Sequence, residues 1–207
     1  MLPKRIIGVG VVGALALLAP VAKAQEEEAG RHDVIVQGTG FFTKDSQGNG
    51  ISQHSTDTGG LLASYRFHFN RWLAIDTSYG YARNTLQNVT TTGAFNVQSN
   101  IHQATGALVV SLPVTIARLK PYVLGGAGAL VFDPTGNPGG FVAGAERQAK
   151  AAFVYGGGVD VKVLRRVYLQ LEYRGLVYKR PDFGLTTLNS DSITHTAQPS
   201  VGIGFRF

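Results

Sequence analysis

The sequence predicts an all-β fold: a closed, antiparallel, up-and-down transmembrane β-barrel of about eight strands. Three observations carry that expectation. Apolar and other residues alternate with a period of two along most of the chain, the repeat of a strand. Charge is concentrated on one of the two faces so defined. Short connections alternate with long polar ones. The totals agree. The chain has 207 residues, with 27 glycines, 44% hydrophobic residues and only 15% charged ones. That length suits one domain, and a soluble surface would carry more charge. Cysteine is absent, which excludes disulfides and thiolate metal sites.

The first two dozen residues read differently from the rest. Lys4 and Arg5 precede an apolar stretch over residues 6–18, and Ala22-Lys23-Ala24 follows, with acidic residues from Glu26. A basic start, a short apolar core and a small-x-small site make up a secretory signal peptide, with cleavage after Ala24 and Ala22 as the partner small residue. The apolar stretch is shorter than the roughly 20 residues of a spanning helix. The expected organisation is therefore a signal peptide over 1–24 and a barrel domain over 25–207. Lys4, Arg5 and Lys23 account for three of the 19 basic residues, so the mature chain carries 16 against 13 acidic ones. No basic stripe of the kind that binds nucleic acid is evident, so no nucleic-acid partner is expected.

The strands follow in order. Residues 33–43 form a weak first strand. In 61–69, Leu61, Ala63, Tyr65, Phe67 and Phe69 oppose Leu62, Ser64, Arg66 and His68. In 72–83, Leu73, Ile75, Thr77, Tyr79 and Tyr81 oppose Ala74, Asp76, Ser78, Gly80 and Ala82. Residues 99–112 and 120–132 are further weak strands, and the second is so rich in Gly and Ala that its faces stay open. In 151–163, Phe153, Tyr155, Val159 and Val161 oppose Val154, Asp160 and Lys162. The clearest alternation is 167–178, where Val167, Leu169, Leu171, Tyr173 and Val177 oppose Tyr168, Gln170, Glu172, Arg174 and Tyr178. The last strand sets Val201, Ile203, Phe205 and Phe207 against Gly202, Gly204 and Arg206. Such lengths match the 9–11 residues of a tilted membrane strand.

Connections at Asn70-Arg71, 113–119 and 164–166 are short. Those over 44–56, 84–97, 133–148 and 179–195 are long and rich in turn-forming residues. Short turns on one rim and long loops on the other suit a membrane barrel.

A soluble barrel would turn its apolar face inward; a membrane barrel turns it to lipid. The second fits, because Arg66, His68, Asp76, Asp160, Lys162, Glu172, Arg174 and Arg206 all fall on the polar faces. With eight strands the interior is just wide enough for side chains, and buried charges need partners. These eight residues are expected to form an interior polar network that fills the lumen. Aromatics near the strand ends match the girdles of a membrane barrel: Phe67, Phe69, Trp72 and Tyr122 toward the short-turn rim, and Phe42, Tyr79, Tyr81, Phe132 and Phe153 toward the other. Because lipid offers no hydrogen bonds, the sheet must close, pairing 34–43 with 199–207.

On these residues, above all the alternating strand Val201, Ile203, Phe205, Phe207, the chain resembles the bacterial outer-membrane β-barrel domain family and is similar to the OmpA transmembrane domain and OmpX, over about 33–207. The resemblance implies a bacterial outer-membrane location and contact with the lipid bilayer and lipopolysaccharide. It also implies that the outer-membrane assembly machinery reads Val201, Ile203, Phe205 and Phe207 as a C-terminal signal.

Candidate chemistry is sparse. The histidines His32, His54, His68, His102 and His195 share no metal-type spacing with a carboxylate. Some eight-stranded barrels are lipid A deacylases with a His-x-Ser-Asn strand segment; His195-Thr196-Ala197 lacks the serine and His54-Ser55 has the wrong spacing. Gly156-Gly157-Gly158 lies mid-strand with no helix after it, unlike a phosphate loop. No cofactor, metal or catalytic residue is expected. The expectation is an integral outer-membrane protein with a structural or surface-interaction role through its loops, with a small porin-like channel as the alternative. A lipid A-modifying enzyme, or a soluble ligand-binding barrel with inverted faces, stands further off.

Overall fold

A computed structural model describes residues 30–44, 46–48, 51–55, 57–90, 93–113, 118–135, 146–181 and 192–207. Its strands are β1 (His32–Thr43), β2 (Ser46–Gly48), β3 (Ile51–Ser55), β4 (Thr58–His68), β5 (Leu73–Thr90), β6 (Gly93–Ser111), β7 (Leu119–Pro134), β8 (Gln148–Lys162), β9 (Val167–Lys179) and β10 (Ile193–Arg206). Strands β1 and β4 to β10 form a closed antiparallel ring in chain order, sealed where β1 pairs with β10. Closure leaves no sheet edge facing lipid, and the backbone is satisfied internally.

The register measures the stagger of that ring. Asp33 pairs with Arg66, Arg66 with Asp76, Asp76 with Ala107 and Ala107 with Gly126. Gly126 pairs with Val154, Val154 with Leu176, Leu176 with Thr196 and Thr196 with Thr43. One circuit therefore climbs from Asp33 to Thr43, ten residues along the same strand. Eight strands with this stagger tilt by about 40° and enclose a bore that side chains can fill.

The alternation decides what enters the bore. In β9, Tyr168, Gln170, Glu172, Arg174, Leu176 and Tyr178 are buried while Leu169, Leu171 and Tyr173 are exposed. Exposed apolar side chains also include Val36, Leu61, Ile75, Leu108, Val123, Val201, Ile203 and Phe205, as a lipid-facing surface requires. The faces of β7, open from sequence, are now clear: Tyr122, Leu124, Leu130 and Phe132 point in and Val123 points out. Two expected girdle residues are thereby corrected. Tyr122 and Phe132 are lumen residues, because inward positions on β7 fall on even numbers. Gly126 and Gly128 also lie on that face, where an added Cβ would run into the carbonyl oxygens of Gly106 and Ala104.

The long-connection rim departs from expectation as well. Segment 84–97 is no loop: β5 and β6 run on until Thr90 pairs with Gly93. At 18 and 19 residues these strands are far longer than a bilayer crossing needs. Within 44–56, β2 pairs with β3, and β3 pairs with the upper end of β5, from Ser52 opposite Val89 to Ser55 opposite Leu86. A raised sheet of β2, β3, β5 and β6 thus stands above one side of the barrel.

Two measurements check this arrangement. Spin labels at Leu171 and Phe205 should relax readily with membrane-dissolved oxygen and a label at Glu172 should not; the reverse pattern would turn the barrel inside out. Gly126→Val should abolish the heat-modifiable folded band on gels, whereas Gly125→Val, where a Cβ meets nothing within 4 Å, should fold.

Candidate functional site in the barrel lumen

Around the ring, β4 stands opposite β8, β5 opposite β9 and β6 opposite β10. Side chains cross the bore between all three of these facing pairs. Arg66 on β4 lies 3.6 Å from Asp160 on β8. Arg174 on β9 reaches β5, where its Nη2 donates to Asp76 Oδ1 at 3.1 Å and its Nη1 to Ser78 Oγ at 2.5 Å. Gln103 on β6 and Gln198 on β10 exchange amide hydrogen bonds of 3.3 and 3.1 Å. A bore spanned by single side-chain pairs is as narrow as the eight-strand geometry implies.

The charged layer is tightly knit. Arg66 Nε donates to Asp76 Oδ2 at 3.2 Å, and its guanidinium also lies 3.6 Å from Glu172 and over the Tyr122 ring at 4.6 Å. Arg174 Nε donates to Glu172 Oε1 at 2.6 Å. Glu172 Oε2 accepts from Tyr122 OH at 2.7 Å and from Gln170 Nε2 at 3.0 Å, and Gln170 Nε2 also donates to Tyr122 OH. Two guanidiniums thus share three carboxylates, all buried. Buried charge is tolerable only with such multiple partners. Gln37 Oε1, Ser64 Oγ, Arg66 Nη2, Asp160 Oδ1 and Gln170 Oε1 find no protein hydrogen-bond partner, and buried polar atoms of that kind are ordinarily completed by water.

A second cluster closes the short-turn mouth across the β1–β10 seam. Asp33 accepts two 2.7 Å bonds from Arg206, one of 2.9 Å from Tyr168 OH, and pairs with His68 at 2.9 Å. One carboxylate therefore ties β1 to β4, β9 and β10. Toward the opposite rim the filling turns apolar, with Phe41, Ile101, Leu130, Phe132, Val154 and Leu176 buried together. Phe132 and Tyr178 rings lie 5.8 Å apart, and Tyr178 OH bonds Thr196 at 2.9 Å.

A family model described as the outer membrane protein beta-barrel domain matches residues 10–207. The chain belongs to that family. Neisserial surface protein A shares the fold with a TM-score of 0.60 at 15% identity, over 87% of this chain and 100% of that one. OprG from Pseudomonas aeruginosa gives 0.58 at 13%, over 87% and 97%. Ail from Yersinia pestis gives 0.51 at 16%, over 87% and 100%. No curated protein sequence matches the chain. As an outer membrane protein beta-barrel domain, it sits in the bacterial outer membrane, with its short turns periplasmic and its long connections outside.

The residues expected to form one network divide into three sets. Arg66, Asp76, Asp160, Glu172 and Arg174 meet in the lower lumen. His68 and Arg206 belong to the periplasmic mouth with Asp33. Lys162 is a correction: it follows Asp160 on the inward side but stands exposed at the rim, where the bore opens to water. Sequence reasoning missed Asp33, Tyr122, Gln170, Gln103 and Gln198. Asp33 and Gln37 share the inward parity of β1, a signal that was available. Gln170 already stood on the polar face of 167–178, whereas Gln103 and Gln198, uncharged and on stretches whose faces were not assigned, offered none. Val201, Ile203 and Phe205 project outward, and Phe207 stacks on His32 at 5.7 Å. His102 and His195 face outward against Tyr79 and Tyr155 hydroxyls at 2.7 and 2.8 Å. The expected cleavage residues Ala22 and Ala24, with the rest of 1–24, lie outside the described residues, as does His54's side chain.

Asp76→Asn should cost about 3–5 kcal/mol, because it leaves two buried guanidiniums short of a partner. The measure is a lowered urea midpoint in lipid vesicles. Lys162→Gln should stay within about 0.5 kcal/mol of wild type. Equal midpoints for both would assign the lumen's stability to something other than its ion pairs.

Proposed function

We propose that this chain is a non-enzymatic outer-membrane anchor with a plugged lumen, whose raised extracellular sheet and loops engage a partner at the cell surface. The observation that carries this reading is the set of three side-chain bridges across the bore, between β4 and β8, β5 and β9, and β6 and β10. Above the charged layer, Phe41, Leu130, Phe132 and Tyr178 add an apolar barrier. An ion passing through would have to part buried salt bridges and then cross that barrier. The raised sheet of β2, β3, β5 and β6 supports the surface role, since binding commonly sits on connections held by a rigid scaffold. Two proteins of like fold are a neisserial surface protein and the attachment invasion locus protein of Yersinia pestis.

The same reading includes removal of a leader over 1–24, contact with lipopolysaccharide, and recognition of Val201, Ile203, Phe205 and Phe207 by the assembly machinery. A small channel remains the second reading, favoured by one observation: the orphaned polar atoms of the lower lumen are suited to water. Planar-bilayer recordings decide between them. The plugged barrel should give no steady single-channel openings at moderate voltage, and reproducible unitary steps from the full-length chain would overturn it.

A further inference from the structure

We propose that the acidic segment Glu26-Glu27-Glu28 docks on an arc of basic side chains at the periplasmic mouth of its own barrel. This goes beyond the anchor reading. It rests on the outer-membrane placement and on removal of the leader, and it is independent of whether the lumen conducts.

The arc is built strand by strand. Arg31 precedes β1, Arg166 precedes β9, Lys162 ends β8, and Arg118 and Lys120 flank the start of β7. Arg165 sits in the β8–β9 turn. Backbone bonds join these positions into one rim: Lys162 N donates to Arg118 O at 3.1 Å, and Arg206 N to Arg166 O at 2.8 Å. Arg31, Lys120, Lys162 and Arg166 share the inward parity of the buried Asp33, Tyr122, Asp160 and Tyr168. They therefore stand around the opening of the lumen and not on the lipid-facing wall. Arg166 is half-buried and the other five are exposed.

Acids are scarce here. None of the turn residues 69–72, 112–118 and 163–166 is acidic. Asp33 and Asp160 lie deeper and are buried. Asp33 is held by Arg206, and Asp160, opposite Lys120 in register, lies 3.6 Å from Arg66. Among the described residues no carboxylate forms an ion pair with Arg31, Arg118, Lys120, Lys162, Arg165 or Arg166. The terminal carboxylate of Phe207 adds a single negative charge beside Gly30. Like charges gathered around one mouth repel each other and attract an anion.

The chain brings that anion with it. Glu26-Glu27-Glu28 is its only run of three like charges and ends two residues before Gly30. Residues 25–29 lie outside the described residues, but their point of attachment does not. Gly30 abuts the seam, where a Cβ would meet Arg206 Cγ and the Phe207 backbone at 2.8 Å. At about 3.3–3.6 Å per residue, Glu28 stays within about 7 Å of Gly30 and Glu26 within about 14 Å. Strands lie about 4.8 Å apart, which puts β9 and β8 roughly 10 and 14 Å from β1 along the wall. Arg166 and Lys162 are thus within reach even before side-chain length is counted. So short a tether gives an effective concentration on the order of millimolar, and ion pairs that are weak singly at a wet rim act together.

The test uses the full mature chain, which has no cysteine, in phosphatidylcholine vesicles. Spin labels go on Gln25→Cys and on Leu164→Cys in the exposed β8–β9 turn. Their dipolar distances should form one narrow band at low salt. The band should broaden at about 1 M NaCl, where the screening length is about 3 Å. It should be broad at any salt in the triple variant Glu26→Gln, Glu27→Gln, Glu28→Gln. Zero-length carbodiimide cross-linking of the unlabelled chain should join the tail to Lys120 or Lys162, and not to Lys150 or Lys179 at the other end of the barrel. A heat-modifiable gel shift checks folding, and the intact mass of the membrane-extracted chain reports separately where it begins. A broad distribution in wild type at low salt, or a narrow one that survives the triple substitution, would overturn the docking. A band lost when phosphatidylglycerol replaces phosphatidylcholine would assign the arc to lipid phosphates and overturn the tail as its occupant. A mature chain that begins beyond Glu28 would do the same.

Discussion

A sheet that closes with a ten-residue stagger around eight strands leaves a bore about two side chains across, and most of this structure follows from that width. Lipid forces the closure, because an open edge would leave backbone groups without partners. Once closed, the wall places β4 within side-chain reach of β8, β5 of β9 and β6 of β10. Arginine is the side chain long enough and sufficiently rich in donors to use that reach. Arg66 and Arg174 each hold residues on several strands at once. The result is a lumen braced across its diameters.

The bracing is uneven along the axis. Most of the charge gathers in the periplasmic half, gives way to apolar side chains further out, and returns at the outer mouth with the buried Arg180, whose Nη2 donates to the Lys44 carbonyl at 3.2 Å. Each half satisfies burial differently. The lower one uses ion pairs and hydrogen bonds, the upper one close packing of rings and branched chains. Asp33 adds a constraint at the mouth, where its bonds to Arg206, Tyr168 and His68 cross the seam between first and last strands. That seam joins the parts of the domain most distant in sequence, so its pairing carries the largest loop-closure entropy in the fold.

The exterior shows two regimes as well. Within the bilayer it is apolar, ringed by Phe69, Trp72 and Phe205 below and Phe42, Tyr79, Tyr81 and Phe153 above. Beyond the bilayer, β5 and β6 continue as a paired ribbon to which β3 and β2 add. Strand pairing gives these connections a backbone framework of their own. Composition alone suggested irregular loops, because Asn, Thr, Gly and Gln are common in both turns and polar strands.

The sequence by itself determined the all-β class, the near-number of strands, the sides of β4, β5, β9 and β10, and the inward side of Arg66, Asp76, Asp160, Glu172 and Arg174. In those strands a two-residue period with strong contrast between faces needs no knowledge of neighbours. The tertiary structure alone decided the rest. It turned Tyr122 and Phe132 inward, because β7 is built of glycine and alanine and its parity is set by the register with β6 and β8. It placed Lys162 in water, because alternation marks a side and not a height. It brought Arg66 to Asp160 and Gln103 to Gln198, partners that lie 94 and 95 residues apart in sequence, because only closure of the ring makes opposite walls neighbours.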